Sequence, residues 1–172
     1  MSLVVLPRPT ITFDEENIYQ LVLMNVGKLP ILFKFQTNNV HIFCCKPVIG
    51  RILPNRQISI IILLKWWKID EDVDRKFMNR FRLLSCDDVR SLFTYNEIDN
   101  YWRIRERIGS SPSDSKDIVH YMDVTINWEY FLGCKRNANK YPHLSTQNTD
   151  STRKYSRDYS LSEIDVQLDT MS

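Results

Sequence analysis

Apolar and polar residues alternate in short runs between Thr10 and Phe131, the period of strands that lay one face on a core. TITF (10–13) follows two prolines, and in YQLVLMN (19–25) Leu21 and Leu23 share a face. ILFKFQT (31–37) sends Ile31, Phe33 and Phe35 inward and Lys34 and Gln36 outward. IFCCK (42–46) stops at Pro47. QISIIILLK (57–65) aligns Ile58, Ile60, Ile62 and Leu64 on one face and Ile61 and Leu63 on the other, a pattern that allows cover on both sides. NRFRLL (79–84) turns Phe81 and Leu83 inward, and MDVTINWEYF (122–131) lines up Met122, Val124, Ile126 and Trp128. Seven short strands punctuated by turn residues predict an all-β fold, an immunoglobulin-like seven-stranded β-sandwich.

Residues 86–108 break this pattern. Ser85 is placed to cap a helical turn, with Asp87 and Asp88 in its first turn. NEIDNYWRIRERI (96–108) sets Ile98, Trp102 and Arg105 at helical spacing, with Tyr101 and Ile104 beside them. A short helical insertion over 86–108 is therefore expected before the last strand, followed by a flexible loop over 109–117. From Cys134 onward the chain is rich in Ser, Thr, Asn and charge and poor in apolar residues. Such a segment cannot bury enough surface to offset the entropy of ordering. The expected division is a sandwich domain over 1–133 and a disordered polar tail over 134–172.

Composition narrows the function. Of 172 residues, 43% are hydrophobic, enough for one core, and the net charge of +2 gives no overall field for nucleic acid. The longest apolar run, Ile58 to Leu64, is broken by Ser59 and falls far short of the ~20 residues of a membrane span. MSLVVLPRPT is too short for a signal-peptide core. Direct membrane insertion is not expected. Cys44, Cys45, Cys86 and Cys134 have no CxxC spacing, which suits reduced thiols in a cytoplasmic protein.

Catalytic chemistry is harder to place. His41, His120 and His143 have no metal-ligand neighbours in sequence, and four glycines supply no phosphate loop. IDEDVD (69–74) lacks the spacing and glycine of a calcium loop and reads as a solvated hairpin loop. Trp66 and Trp67 divide between core edge and surface. No catalytic residue, metal site or cofactor is assigned. There remain Lys34, Gln36, Thr37, Asn38, Lys46, Arg80 and Arg82 at outward strand positions. On neighbouring strands they would form one polar, mildly basic face. An ordinary exposed sheet face is the alternative.

Residues 21–64 carry a denser pattern. A strand ending in Asn25 precedes Phe33-Lys34-Phe35-Gln36-Thr37-Asn38, then Phe43-Cys44-Cys45-Lys46-Pro47, Gly50, Pro54-Asn55 and the strand Ile58 to Leu64. In order and spacing this resembles the major sperm protein (MSP) domain family, most closely the type found in VAMP-associated and motile-sperm-domain-containing proteins. Arg80 to Ser85 fits the family's later Lys-Phe-Met-Val-Gln-Ser strand, and an alternative alignment places Lys76 and Met78 there. In this pattern Pro47 and Pro54 end strands and Gly50 allows a tight turn.

The resemblance implies an MSP/PapD-like sandwich without catalysis. It also implies a module that binds short acidic, aromatic-bearing peptides (FFAT motifs) on a basic sheet face, in an adaptor or tethering role. Carried over, the peptide contacts are Gln36, Thr37, Asn38, Arg80 and Arg82, with Lys34 and Lys46 adding to the field. Gln36 and Asn38 depart from the family's second lysine and second threonine, so the charge is partly lost and partly moved. The resemblance implies a cytoplasmic location, with recruitment to the endoplasmic reticulum or contact sites through partners. Self-association into a structural assembly of the major sperm protein type is the alternative.

Overall fold

The alternating runs become the inner faces of two sheets. The structure, a computed structural model, describes residues 3–7, 10–88, 90–92, 94–108 and 118–140. The strands are β1 (Leu3–Leu6), β2 (Thr10–Phe13), β3 (Ile18–Asn25), β4 (Ile31–Thr37), β5 (Phe43–Lys46), β6 (Ile49–Ile52), β7 (Gln57–Leu64), β8 (Arg80–Asp87) and β9 (Ile118–Ile126). One sheet has the order β1-β3-β7-β5 and the other β2-β9-β8-β4-β6. Pairings are antiparallel except β2 with β9, which run parallel. The division into two compact units falls after Leu132.

Leu21, Leu23, Ile60, Ile62 and Leu64 of one sheet meet Phe13, Phe33, Phe35, Phe81 and Leu83 of the other, all buried. Each such side chain contributes about 1.5–3 kcal/mol by leaving water. Phe35 and Phe81 stack with centroids 5.2 Å apart, and Phe43 meets Phe81 edge-on at 5.0 Å. Asn25 is buried with its side chain satisfied. It donates to the carbonyls of Leu29 (2.8 Å) and Ile52 (2.9 Å) and accepts from Gly27 N–H (2.9 Å), joining three segments at one end of the core.

Several expectations change. Nine strands are present among the described residues rather than seven, because β1 and β6 are four-residue strands without a clear alternation. Gly50 is not in a turn. It lies within β6 opposite Phe33, and a Cβ there would sit 2.7 Å from the Phe33 ring, so the glycine admits the ring. The turn falls at Pro54-Asn55, where Asn55 has φ 57° and Arg56 N–H donates to Leu53 C=O at 3.1 Å. IDEDVD is not a solvated loop. Asp70 caps the short helix α1 (Glu71–Asp74) through Asp72 N–H, and Asp74 is buried against Asn39.

Ser85 starts no helix. It is a buried residue of β8, which continues through Asp87. The insertion's helix is α2 (Tyr95–Ile108), opened by a reciprocal cap in which Glu97 accepts from Thr94 N–H (2.8 Å) and Glu97 N–H donates to Thr94 Oγ1 (3.2 Å). The last strand ends at Ile126 rather than Phe131. Asn127 Oδ1 accepts from Tyr130 N–H and begins α3 (Trp128–Lys140), so residues 134–140 of the expected tail are helical. The loop over 109–117 and residues 141–172 lie outside the described residues. Among the described residues no helix is long and apolar enough to cross a membrane.

Candidate functional site

The strand period places the candidate cations. On the outer face of the five-stranded sheet, Lys34 and Gln36 of β4 stand beside Arg82 and Arg80 of β8, with Gln36 directly opposite Arg82. Beyond β8, Arg82 faces Tyr121 of β9 and Arg80 faces Asp123. Tyr121 is 66% exposed, leaving an aromatic ring at the edge of the cationic row.

Arg82, Gln36 and Lys34 form one network with Glu106 of α2, and Arg80 pairs separately with Asp123. Arg82 donates from Nε (3.0 Å) and Nη2 (2.5 Å) to Gln36 Oε1. Gln36 in turn donates from its amide nitrogen to Glu106 Oε1 at 3.0 Å. Lys34 Nζ donates to the same oxygen at 2.7 Å. Glu106 lies near the C-terminal end of α2. The hydrogen bond from Lys34 holds its carboxyl below the ordinary glutamate range, against the opposing effect of partial burial, with Gln36 and Arg82 acting in the same direction as Lys34. Arg80 Nε donates to Asp123 Oδ1 at 3.0 Å. Three cations, Lys34, Arg80 and Arg82, thus meet two carboxylates, and the face stays net positive.

The helix is anchored where the face is apolar. Ile98 and Trp102 are buried against Leu32, Ile49 and Cys86, with Leu84, Leu92 and Tyr101 around them. Arg51 of β6 pairs at 2.6 Å with Asp88, whose side chain is fully buried and accepts from the backbone N–H groups of Arg90 and Leu92. Arg105 donates to the Tyr101 hydroxyl.

The remaining sequence candidates divide. Asn38 braces the end of β4 to the start of β8: its amide nitrogen donates to Met78 C=O (2.8 Å) and its oxygen accepts from Arg80 N–H (2.8 Å). Thr37 Oγ1 accepts from Asn39 N–H at 3.1 Å. Lys46 lies on β5 in the other sheet and does not join the row. Lys76 and Met78 precede β8 and are exposed. Met78 lines a hollow of about 300 Å³ with Phe77, Arg80, Asp123 and Trp128.

Strand alternation and the family pattern do not select Glu106 or Tyr121. A signal for Glu106 is nevertheless present: Ile98, Trp102 and Glu106 recur every four residues, so the buried stripe of α2 continues into an acid.

Residues 2–86 match the family model described as MSP (Major sperm protein) domain. Among solved structures, the chain resembles SSP-19, an MSP-domain protein like family member in Caenorhabditis elegans, at 15% identity over 70% of this chain and 97% of that one, with a TM-score of 0.50. WR4, a C. elegans MSP family member, matches at 11% identity over 72% and 97% with a TM-score of 0.47. A Salmonella enterica SafA pilin–SafB chaperone complex matches at 13% identity over 73% and 53% with a TM-score of 0.49. The likeness to SSP-19 shows a shared fold. A search of curated proteins found no match.

Proposed function

Because this chain is an MSP-domain protein, we propose that it is a non-catalytic interaction module of the VAMP-associated type, binding short acidic, aromatic-bearing segments of partner proteins. The observation that carries this reading is the row Lys34, Gln36, Arg82 and Arg80 on one sheet face, ending beside the hollow at Phe77, Met78 and Trp128. A segment laid along β8 and β9 would bring its acids to the arginines and an aromatic ring to the hollow or to Tyr121. The reading includes a cytoplasmic setting with recruitment through partners.

The test is a fluorescence-anisotropy titration of the full chain with a labelled acidic peptide carrying two phenylalanines, at low and physiological salt. Saturable binding is expected that weakens with salt and weakens about tenfold in Arg82→Glu. No binding at either salt overturns the reading.

One observation favours self-association as a second reading. Among the outward positions of β3 and β7 in the four-stranded sheet, Val22, Met24, Ile61 and Leu63 are part-exposed beside the hydrogen-bonded Gln20 and Ser59, and Leu6, paired with Val22, is 46% exposed. Sedimentation across a concentration series that shows a strict monomer removes this reading.

A further inference from the structure

The geometry points to Glu106 as a specificity-determining residue of the cationic face: its carboxylate stands where an incoming acid would bind and reserves Lys34 and the Gln36 amide for itself. This rests on the reading of that face as a site for acidic segments, and it names what decides which acids are admitted.

The Lys34 side chain is 17% exposed, against 51% for Arg80 in the same row, while that of Glu106 is 47% exposed. The pair is therefore an ammonium set into the sheet surface with a carboxylate closing it from above. One oxygen, Glu106 Oε1, accepts from both Lys34 Nζ and the Gln36 amide. Gln36 also accepts from Arg82, so Lys34, Gln36 and Arg82 are linked through an acid of the chain's own. Glu106 is not held there by its own contacts alone. Earlier on the same stripe of the helix, Ile98 and Trp102 are buried against the sheet and fix the register of α2. An acid delivered by a buried anchor has a high local concentration, so a partner's acid must displace it to reach Lys34.

The consequence is a face split by function. Lys34 is withheld by an acid of the helix, whereas Arg82 faces Tyr121 and the more exposed Arg80 meets the exposed Asp123 of the neighbouring strand. A ligand with a single acid placed over the arginines binds without disturbing Glu106. A ligand needing an acid at Lys34 must first displace it.

A double-mutant cycle tests this, read by anisotropy with the same labelled acidic two-phenylalanine peptide and the full chain. Four variants are compared with the parent: Glu106→Gln, Lys34→Gln, the two together, and Asp99→Asn. Asp99, about two turns earlier on the same helix, pairs with Arg103 and controls for the change in net charge. Glu106→Gln is expected to bind on the order of fivefold tighter, the scale set by a partly exposed ion pair. Lys34→Gln alone is expected to change affinity little, because Lys34 is already occupied. The gain is expected to vanish in the double variant, as coupling through a shared group requires. Asp99→Asn is expected to match the parent. If parent, Asp99→Asn and Glu106→Gln all bind alike, the role of Glu106 is overturned and the face keeps its function. If no variant binds, including the one with the acid removed, both the site and the role of Glu106 fall.

Discussion

The outer face of β4 and β8 is two surfaces on one pair of strands. At one end Leu32 and Cys86 lie buried under Ile98 and Trp102 of α2. One outward step along β4 stands Lys34, and another step on stands Gln36 opposite Arg82. The helix changes in step with the sheet: its stripe runs Ile98, Trp102, Glu106 while the surface beneath runs from leucine to lysine. The cover is apolar where the sheet is apolar and anionic where the sheet is cationic. A sheet face is thus a sequence of patches. A single inserted helix can complete one patch as core and partly neutralise the next.

Removing the buried anchor of α2 tests this arrangement most directly. Trp102→Ala is expected to cost about 3–5 kcal/mol, as for other buried large-to-small changes, read as a shift in the urea midpoint. A change below about 1 kcal/mol would mean that α2 is not held by its apolar stripe.

A smaller effect separates the charged patch from the apolar one. Glu106 has a depressed carboxyl pKa, caused first by Lys34, so its contribution to stability is fully present above the ordinary glutamate range. That contribution is lost as pH falls through the lower folded-state value. Because Glu106 is half-exposed, solvent screening limits it to below about 1 kcal/mol. The stability difference between parent and Glu106→Gln, measured by urea unfolding at a series of pH values, is expected at neutral pH and should vanish in acid. A difference that persists in acid would assign the effect to packing.

The smallest effect concerns the other sheet. Lys46→Glu is expected to leave peptide affinity within about twofold at physiological salt, because the charge lies across the sandwich and is screened. A loss comparable to that of Arg82→Glu would place the ligand around the β5 edge instead.

Much of this is legible in the amino-acid sequence. Alternation alone places β3, β4, β7 and β8 with their inward residues, and it turns Lys34, Gln36, Arg80 and Arg82 outward. Three things are not legible. The four-residue strand β6 is interrupted by Gly50, whose purpose emerges only when Phe33 is set across from it. The period-two run Met122, Val124, Ile126, Trp128 extends past its strand, and Asn127, a residue suited to capping, is what ends it. The partner of Lys34 depends on how α2 docks, which is decided by Trp102 meeting Leu32 and Ile49, contacts far apart in sequence. Periodicity reports which side of an element faces inward, and it is silent on what an inserted element lies against.

The parallel pairing of β2 with β9 has a consequence during synthesis. Ile11 pairs with Val124, so β2 has no partner in its sheet until the last strand emerges. On a ribosome making 5–20 residues per second, the interval between the end of β8 and the end of β9 lasts about 2–8 s. Throughout that interval β8 is a bare edge of a three-stranded sheet, open to pairing with another nascent chain. Arg80 and Arg82 project from that edge strand. Two such strands meeting would bring like charges together, which disfavours that pairing.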